Sequence, residues 1–151
     1  MDIIDKKILE LLQADSTLTT KEIASHVNLS VSPTFERIKR LEKEGYICGY
    51  VAIVDPFKVG NGLIVLCNIR LKQHSKSMSS EFVKAMIAFD EVVEVYNTSG
   101  DYDYMMKLYV RDIHHYQDFV LNQLGTITSI GQVHSVFVIG KDKSSTVVPV
   151  Y

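Results

Sequence analysis

One stretch of this chain is crowded with side chains that can bind a polyanion. Between Ser30 and Arg40 lie three hydroxyls, Ser30, Ser32 and Thr34, then three cations, Arg37, Lys39 and Arg40, with Pro33 among them. Hydroxyls can bond phosphates or base edges, and arginine can grip guanine through two parallel bonds. A second polar concentration, Ser99-Gly100-Asp101-Tyr102-Asp103, sits between two apolar runs. Taken alone it reads as a hairpin turn, with glycine for backbone freedom and Asp for local hydrogen bonds.

No catalytic constellation accompanies these stretches. His114 and His115 are adjacent, so on a helix they point about 100° apart and cannot chelate one metal well. His26, His74 and His134 are scattered, no cysteine lies near an activating histidine in sequence, and no glycine-rich phosphate loop is present. The residues therefore predict no enzyme, no metal site and no cofactor. Cys48 and Cys67 fall in apolar stretches and read as small buried hydrophobes of a reducing compartment.

The 151 residues are 46% hydrophobic and 23% charged, which excludes wholesale disorder and allows one domain or two small ones. No apolar run approaches the roughly 18 residues of a membrane span, and the start Met1-Asp2-Ile3-Ile4-Asp5-Lys6-Lys7 is not a secretory signal. A cytoplasmic protein without a membrane partner is expected. The net charge is −2, and residues 1–45 hold seven Lys and Arg against eight Asp and Glu. Binding to a duplex cannot then come from charge excess, and two or more units on one duplex are needed for useful affinity.

Two patterns meet near residue 50. A first helix is predicted over 3–14, capped by Asp2, with Ile4, Ile8, Leu11 and Leu12 on one face. Thr19-Thr20-Lys21-Glu22 is a capping box for a second helix that stops at Asn28. A third starts around Ser30–Pro33, turns Phe35, Ile38 and Leu41 inward, and ends at Gly45. Tyr46 to Val54 reads as an extended strand. Beyond it the order is strand (63–72), helix (80–89), strand (92–98), strand (104–110), helix capped by Asp112, strand (130–139), a βαββαβ pattern. Its sheet is antiparallel, with both helices on one face. The other face also holds apolar residues, including Ile64 and Leu66, and so predicts a partner. Three short helices with a tight turn before the third make a helix-turn-helix pattern.

The run from Ser30 to Tyr50, including Glu36-Arg37-Ile38-Lys39-Arg40-Leu41-Glu42-Lys43-Glu44-Gly45-Tyr46, resembles the Lrp/AsnC (feast/famine) family of transcriptional regulators. The opening Asp2-Ile3-Ile4-Asp5-Lys6-Lys7-Ile8-Leu9 is similar to that family's first helix, and Ser99-Gly100-Asp101-Tyr102-Asp103-Tyr104 to its effector loop. The resemblance covers nearly all of residues 2–140. Asn28 stands where the family often has glycine, and Ile127-Thr128-Ser129-Ile130 where many members carry Leu-Pro-Gly-Val.

The resemblance implies an α+β chain: a winged helix-turn-helix over 1–50, a linker strand and hinge over 51–62, a ferredoxin-like (RAM/ACT-like) βαββαβ domain over 63–140 and a tail over 141–151. It implies double-stranded DNA as one partner, an amino-acid effector as a second, and further copies of the chain, as a dimer or a ring of dimers, as a third. Ser30, Ser32, Pro33, Thr34, Arg37, Lys39 and Arg40 are the expected DNA contacts. Ser99, Gly100, Asp101, Tyr102 and Asp103 are the expected effector loop, the carboxylates receiving an α-ammonium group and the backbone N–H groups around Gly100 an α-carboxylate. Gly131, Gln132, Val133 and Ser135 on the last strand are expected to form the opposite wall. A DNA-organising protein without effector control and a regulatory subunit of a metabolic enzyme are the alternatives.

Overall fold

The computed structural model describes residues 1–151 and divides into two compact units, Met1–Ile53 with Asp142–Tyr151, and Val54–Lys141. The closing residues, expected as a separate tail, thus belong to the first unit. No helix is long and apolar enough to cross a membrane.

The first unit contains α1 (Ile3–Ala14), α2 (Thr20–Val27) and α3 (Val31–Lys43). Their ends follow from local chemistry. The Asp2 carboxylate accepts from the Asp5 N–H at 2.9 Å while the Asp5 carboxylate accepts from the Asp2 N–H at 3.0 Å, a reciprocal cap. Thr19 and Glu22 form the second capping box. Asn28 ends α2 at φ 55°, the left-handed conformation that a sharp helix–helix turn requires. Ser30 sits at the N-cap of α3 but makes no side-chain cap bond.

The core of this unit is Ile8, Ile23, Ile38 and Leu41, flanked by Ile4, Leu11, Leu12, Leu18, Val27 and Ile47. The inward face of α3 is Thr34, Ile38 and Leu41, not Phe35, which is 50% exposed. The true stripe has the i, i+4, i+7 spacing that packs a helix. Residues 46 and 47 bend and 48–54 carry no regular structure, so the expected strand is absent. Cys48 is exposed and Cys67 buried, which corrects the expectation for the former.

Asp2 gives the first unit an acid limit. Its carboxyl is held down to about 2, chiefly by the Asp5 backbone N–H and then by Arg37. The folded value lies below the unfolded one, so the stabilisation is complete above about pH 4 and is lost as pH falls through the folded value. Helicity followed by circular dichroism should drop across that window. Asp2→Asn, which keeps the cap, should flatten the drop.

The second unit is a four-stranded antiparallel sheet in the order β2-β3-β1-β4, from β1 (Leu63–Leu71), β2 (Val92–Asn97), β3 (Tyr104–Val110) and β4 (Ile130–Phe137). Helices α4 (Lys76–Met86) and α5 (Ile113–Asn122) complete it. Strand alternation sends Val65, Cys67, Ile69 and Leu71 of β1 and Tyr104, Met106, Leu108 and Val110 of β3 into one core with Phe82, Met86, Tyr116 and Phe119. Helix α4 starts four residues before the expected position, because the Ser75 hydroxyl caps it by accepting from the Met78 N–H at 3.2 Å.

Ser129 carries an unmet cost. It is buried, and its hydroxyl has no hydrogen-bond partner. An orphaned buried hydroxyl is destabilising by about 1–3 kcal/mol. Ser129→Ala should therefore raise the urea midpoint of the sheet unit by about 1 kcal/mol equivalent, and an unchanged midpoint would mean that the hydroxyl is satisfied in solution.

Candidate nucleic-acid interface and effector loop

Helix α3 presents Ser32, Phe35, Glu36, Lys39 and Lys43 to solvent. The Lys39 ammonium lies 5.6 Å from the Phe35 ring centroid and 2.7 Å from a Glu42 carboxylate oxygen. Thr34, expected on this outer face, is buried, and its hydroxyl donates to the Ser30 carbonyl at 3.0 Å. Pro33 is half-buried in the first turn, and Ser30 is exposed.

The two arginines are tied to α1. Arg37 Nη1 lies 2.6 Å from Asp2 Oδ2 and 2.8 Å from Asp5 Oδ1, and Arg40 Nη2 lies 2.7 Å from Asp5 Oδ2. The Asp5 side chain is 1% exposed, that of Arg37 24% and that of Arg40 48%. A carboxylate so buried is tolerable because two guanidiniums and the Asp2 N–H surround it. Arg37 is thus a brace between α1 and α3, while Arg40 keeps half of its side chain in solvent. Lys39 and Ser32 remain outward, and Glu36, unforeseen from sequence, shares their face.

In the second unit the loop between β2 and β3 is pinned at several points. Gly100 takes φ +118°, open to few residues besides glycine. Arg70 of β1 donates from both Nε, at 2.8 Å, and Nη2 to the Asp101 carbonyl. The Asp103 carboxylate accepts from the Leu71 N–H at 2.8 Å and lies 3.0 Å from His74 Nδ1. The Thr98 hydroxyl donates to the Tyr102 carbonyl, and the Asp103 N–H to the Ile69 carbonyl. The Tyr102 ring stacks on His134 at 5.9 Å between centroids, with the Arg70 guanidinium 5.6 Å from it. Asp103 is therefore committed to the scaffold, whereas Asp101 is exposed and no partner engages its carboxylate. Ser99 is exposed at the same turn.

The four residues of β4 divide between the two faces. Gln132 pairs opposite Arg70, on the face away from the helices. Val133 and Ser135 point to the helix side, where the Ser135 hydroxyl meets the Tyr116 hydroxyl, itself 3.2 Å from Cys67 Sγ. Burial pushes both the Cys67 thiol and the Tyr116 phenol up, so this trio is neutral. Gly131 is a close-packing position: a Cβ there would lie 3.2 Å from the Lys72 nitrogen. The structure thus gathers Asp101, Tyr102 and Asp103 with Arg70, His74 and His134, and leaves Val133 and Ser135 apart. Arg70 carries a trace in the sequence, being the one charged residue of β1.

Comparison with known proteins covers both units. Residues 1–47 match the family model of a winged helix-turn-helix DNA-binding domain, and residues 64–148 match the Lrp/AsnC ligand binding domain. The chain belongs to the Lrp/AsnC family. It is 35% identical over 150 residues to the DNA-binding transcriptional activator DecR of Escherichia coli K12, covering 99% of each. A Neisseria meningitidis transcriptional regulator solved in complex with L-Met superposes with a TM-score of 0.94 at 30% identity, covering 99% of this chain and 96% of that one. An AsnC family transcriptional regulator from Agrobacterium tumefaciens superposes at 0.93 with 39% identity, covering 99% and 97%. This Lrp/AsnC chain is accordingly a transcriptional regulator with a DNA-binding and a ligand-binding domain, and its relatives are regulators rather than enzymes.

Proposed function

We propose that the chain regulates transcription in response to a free amino acid, bound at the loop around Gly100 and Asp101. The observation that carries this reading is the exposed, unengaged Asp101 carboxylate on a loop whose shape is held by Arg70, Thr98 and Asp103. A prebuilt loop with one free carboxylate is suited to an α-ammonium group, and the backbone N–H groups beside Gly100 to the α-carboxylate. The L-Met bound to the Neisseria relative supports an amino acid as the ligand class. Thermal-shift screening against the twenty amino acids tests it. An effector at 100 times its dissociation constant stabilises by about 2.7 kcal/mol, whereas no response to any of them would favour a DNA-organising protein without effector control.

The DNA face in this reading is Ser30, Ser32, Glu36, Lys39 and the solvent half of Arg40. Lys39→Ala should weaken all duplexes alike and lower the salt slope by about 1 if Lys39 neutralises a phosphate. Weakening confined to one base position would instead make it a base contact.

Self-association completes the proposal. The sheet face opposite the helices carries Leu66, Met105, Tyr109, Tyr96 and Val136, an apolar patch, interrupted and bordered by Lys107, Glu94 and Arg70, that this chain's helices do not cover. A dimer through this face, and further assembly of dimers, supplies the second DNA-binding unit that the charge balance demands. Sedimentation at micromolar concentration showing nothing heavier than the 17.1 kDa chain would reject it.

A further inference from the structure

The first unit holds a groove of about 610 Å³ that none of the assigned functions uses. It is lined by Leu9, Leu12 and Gln13 of α1, the turn beyond α1, residues 46–53, and Thr146, Val148 and Val150 of the closing segment. We propose that Gln13 of α1, beside this groove, is a docking point for an extended peptide strand, and that the chain's own C-terminal segment is its ligand.

The recognition is built like strand addition, with one side chain acting as the neighbouring strand. The Gln13 amide accepts from the Val148 N–H at 2.8 Å through Oε1 and donates to the Val148 carbonyl at 3.1 Å through Nε2. In an extended chain the N–H and C=O of one residue point the same way, so a primary amide can satisfy both at once. Val150 is half-buried, whereas Thr146 is exposed and Val148 is 65% exposed, so the segment is held chiefly through its backbone. The ligand is preorganised: Pro149 biases Val148 toward the extended region before docking. No residue of α3 lines the groove, so the docked segment leaves the proposed DNA face free.

Hydrogen exchange on the full chain tests this. In the wild type the Val148 amide and residues 46–53 should be protected, at a level independent of protein concentration. Gln13→Ala should raise exchange at Val148 about tenfold or more, the loss expected from two hydrogen bonds. Val148→Pro, which removes the N–H at an exposed terminus without threatening the fold, should raise exchange across residues 46–53. DNA affinity of both variants should stay within about threefold of wild type, well inside the tenfold that 1.4 kcal/mol represents. Unprotected Val148 in the wild type, or variants that exchange like it, would overturn the proposal. Protection that rises with protein concentration would give the groove to a second copy's tail and overturn the assignment to the chain's own.

Discussion

Asp5→Ala lowers the stability of the helix-turn-helix unit by about 3 kcal/mol, the low end for removing one member of a buried ion network. The residue looks ordinary in sequence, an acid in the first turn of a helix. In the fold its carboxylate is buried between Arg37 and Arg40 and also closes the cap on the Asp2 N–H. Asp5→Asn keeps an acceptor for the cap and loses the charge, so it should fall between alanine and wild type. Arg37→Ala should cost less, because Arg40 still faces Asp5. Urea denaturation followed by helical signal reads all three. For DNA, Arg37→Ala should weaken binding through the position of α3 and leave sequence preference intact. Relaxed preference at a single base pair in that variant would show that Arg37 leaves Asp5 to read a base.

The two carboxylates of the effector loop should separate cleanly. Asp101→Asn leaves stability within about 0.5 kcal/mol, because no partner holds its carboxylate. It should weaken the best-responding amino acid by about 1.5–3 kcal/mol, roughly ten- to a hundredfold. Asp103→Ala breaks the bond to the Leu71 N–H and the contact with His74. It should lower the stability of the sheet unit by about 1–2 kcal/mol and loosen the loop, weakening the ligand indirectly. Calorimetry of ligand binding beside denaturant curves distinguishes the two. Equal ligand affinity in wild type and Asp101→Asn would reject Asp101 as a ligand residue while leaving the scaffold role of Asp103 untouched.

What could be read from the chain beforehand depended on the reach of the interaction. The caps at Asp2, Thr19 and Asp112, the stop at Asn28 and the whole of β3 are written in neighbouring residues. Helix α4 was misplaced because Ser75, Ser77, Ser79 and Ser80 offer several capping hydroxyls in succession, and the apolar cluster begins only at Phe82. Thr34 looked like a surface hydroxyl, since its bond to the Ser30 carbonyl replaces a partner that spacing cannot reveal. The ties of the two arginines to α1 are hidden from the sequence for a different reason. Their partners lie 32 and 35 positions away, and charge type alone does not say whether a guanidinium meets phosphate or carboxylate. The pinning of the loop by Arg70 and the split of β4 between two faces likewise depend on strand register, which the order of residues leaves open.

The carboxylate brace also bears on how such a protein searches a chromosome. A cation already matched by Asp2 or Asp5 releases little when it approaches random duplex, because leaving its partner uncovers a charge that must be hydrated again. In the proposed binding mode α3 therefore offers non-specific DNA little beyond Lys43, part of Arg40 and Lys39, whose partner Glu42 is a part-exposed helix neighbour rather than a buried carboxylate. Weak holding on random sequence means short sojourns, with more of the search made by hopping through solution than by sliding. Under the proposed assembly, occupancy of a true site rests on several helices engaging together, and a change in the number of linked copies should act on residence time at the target far more than on the wandering that precedes it.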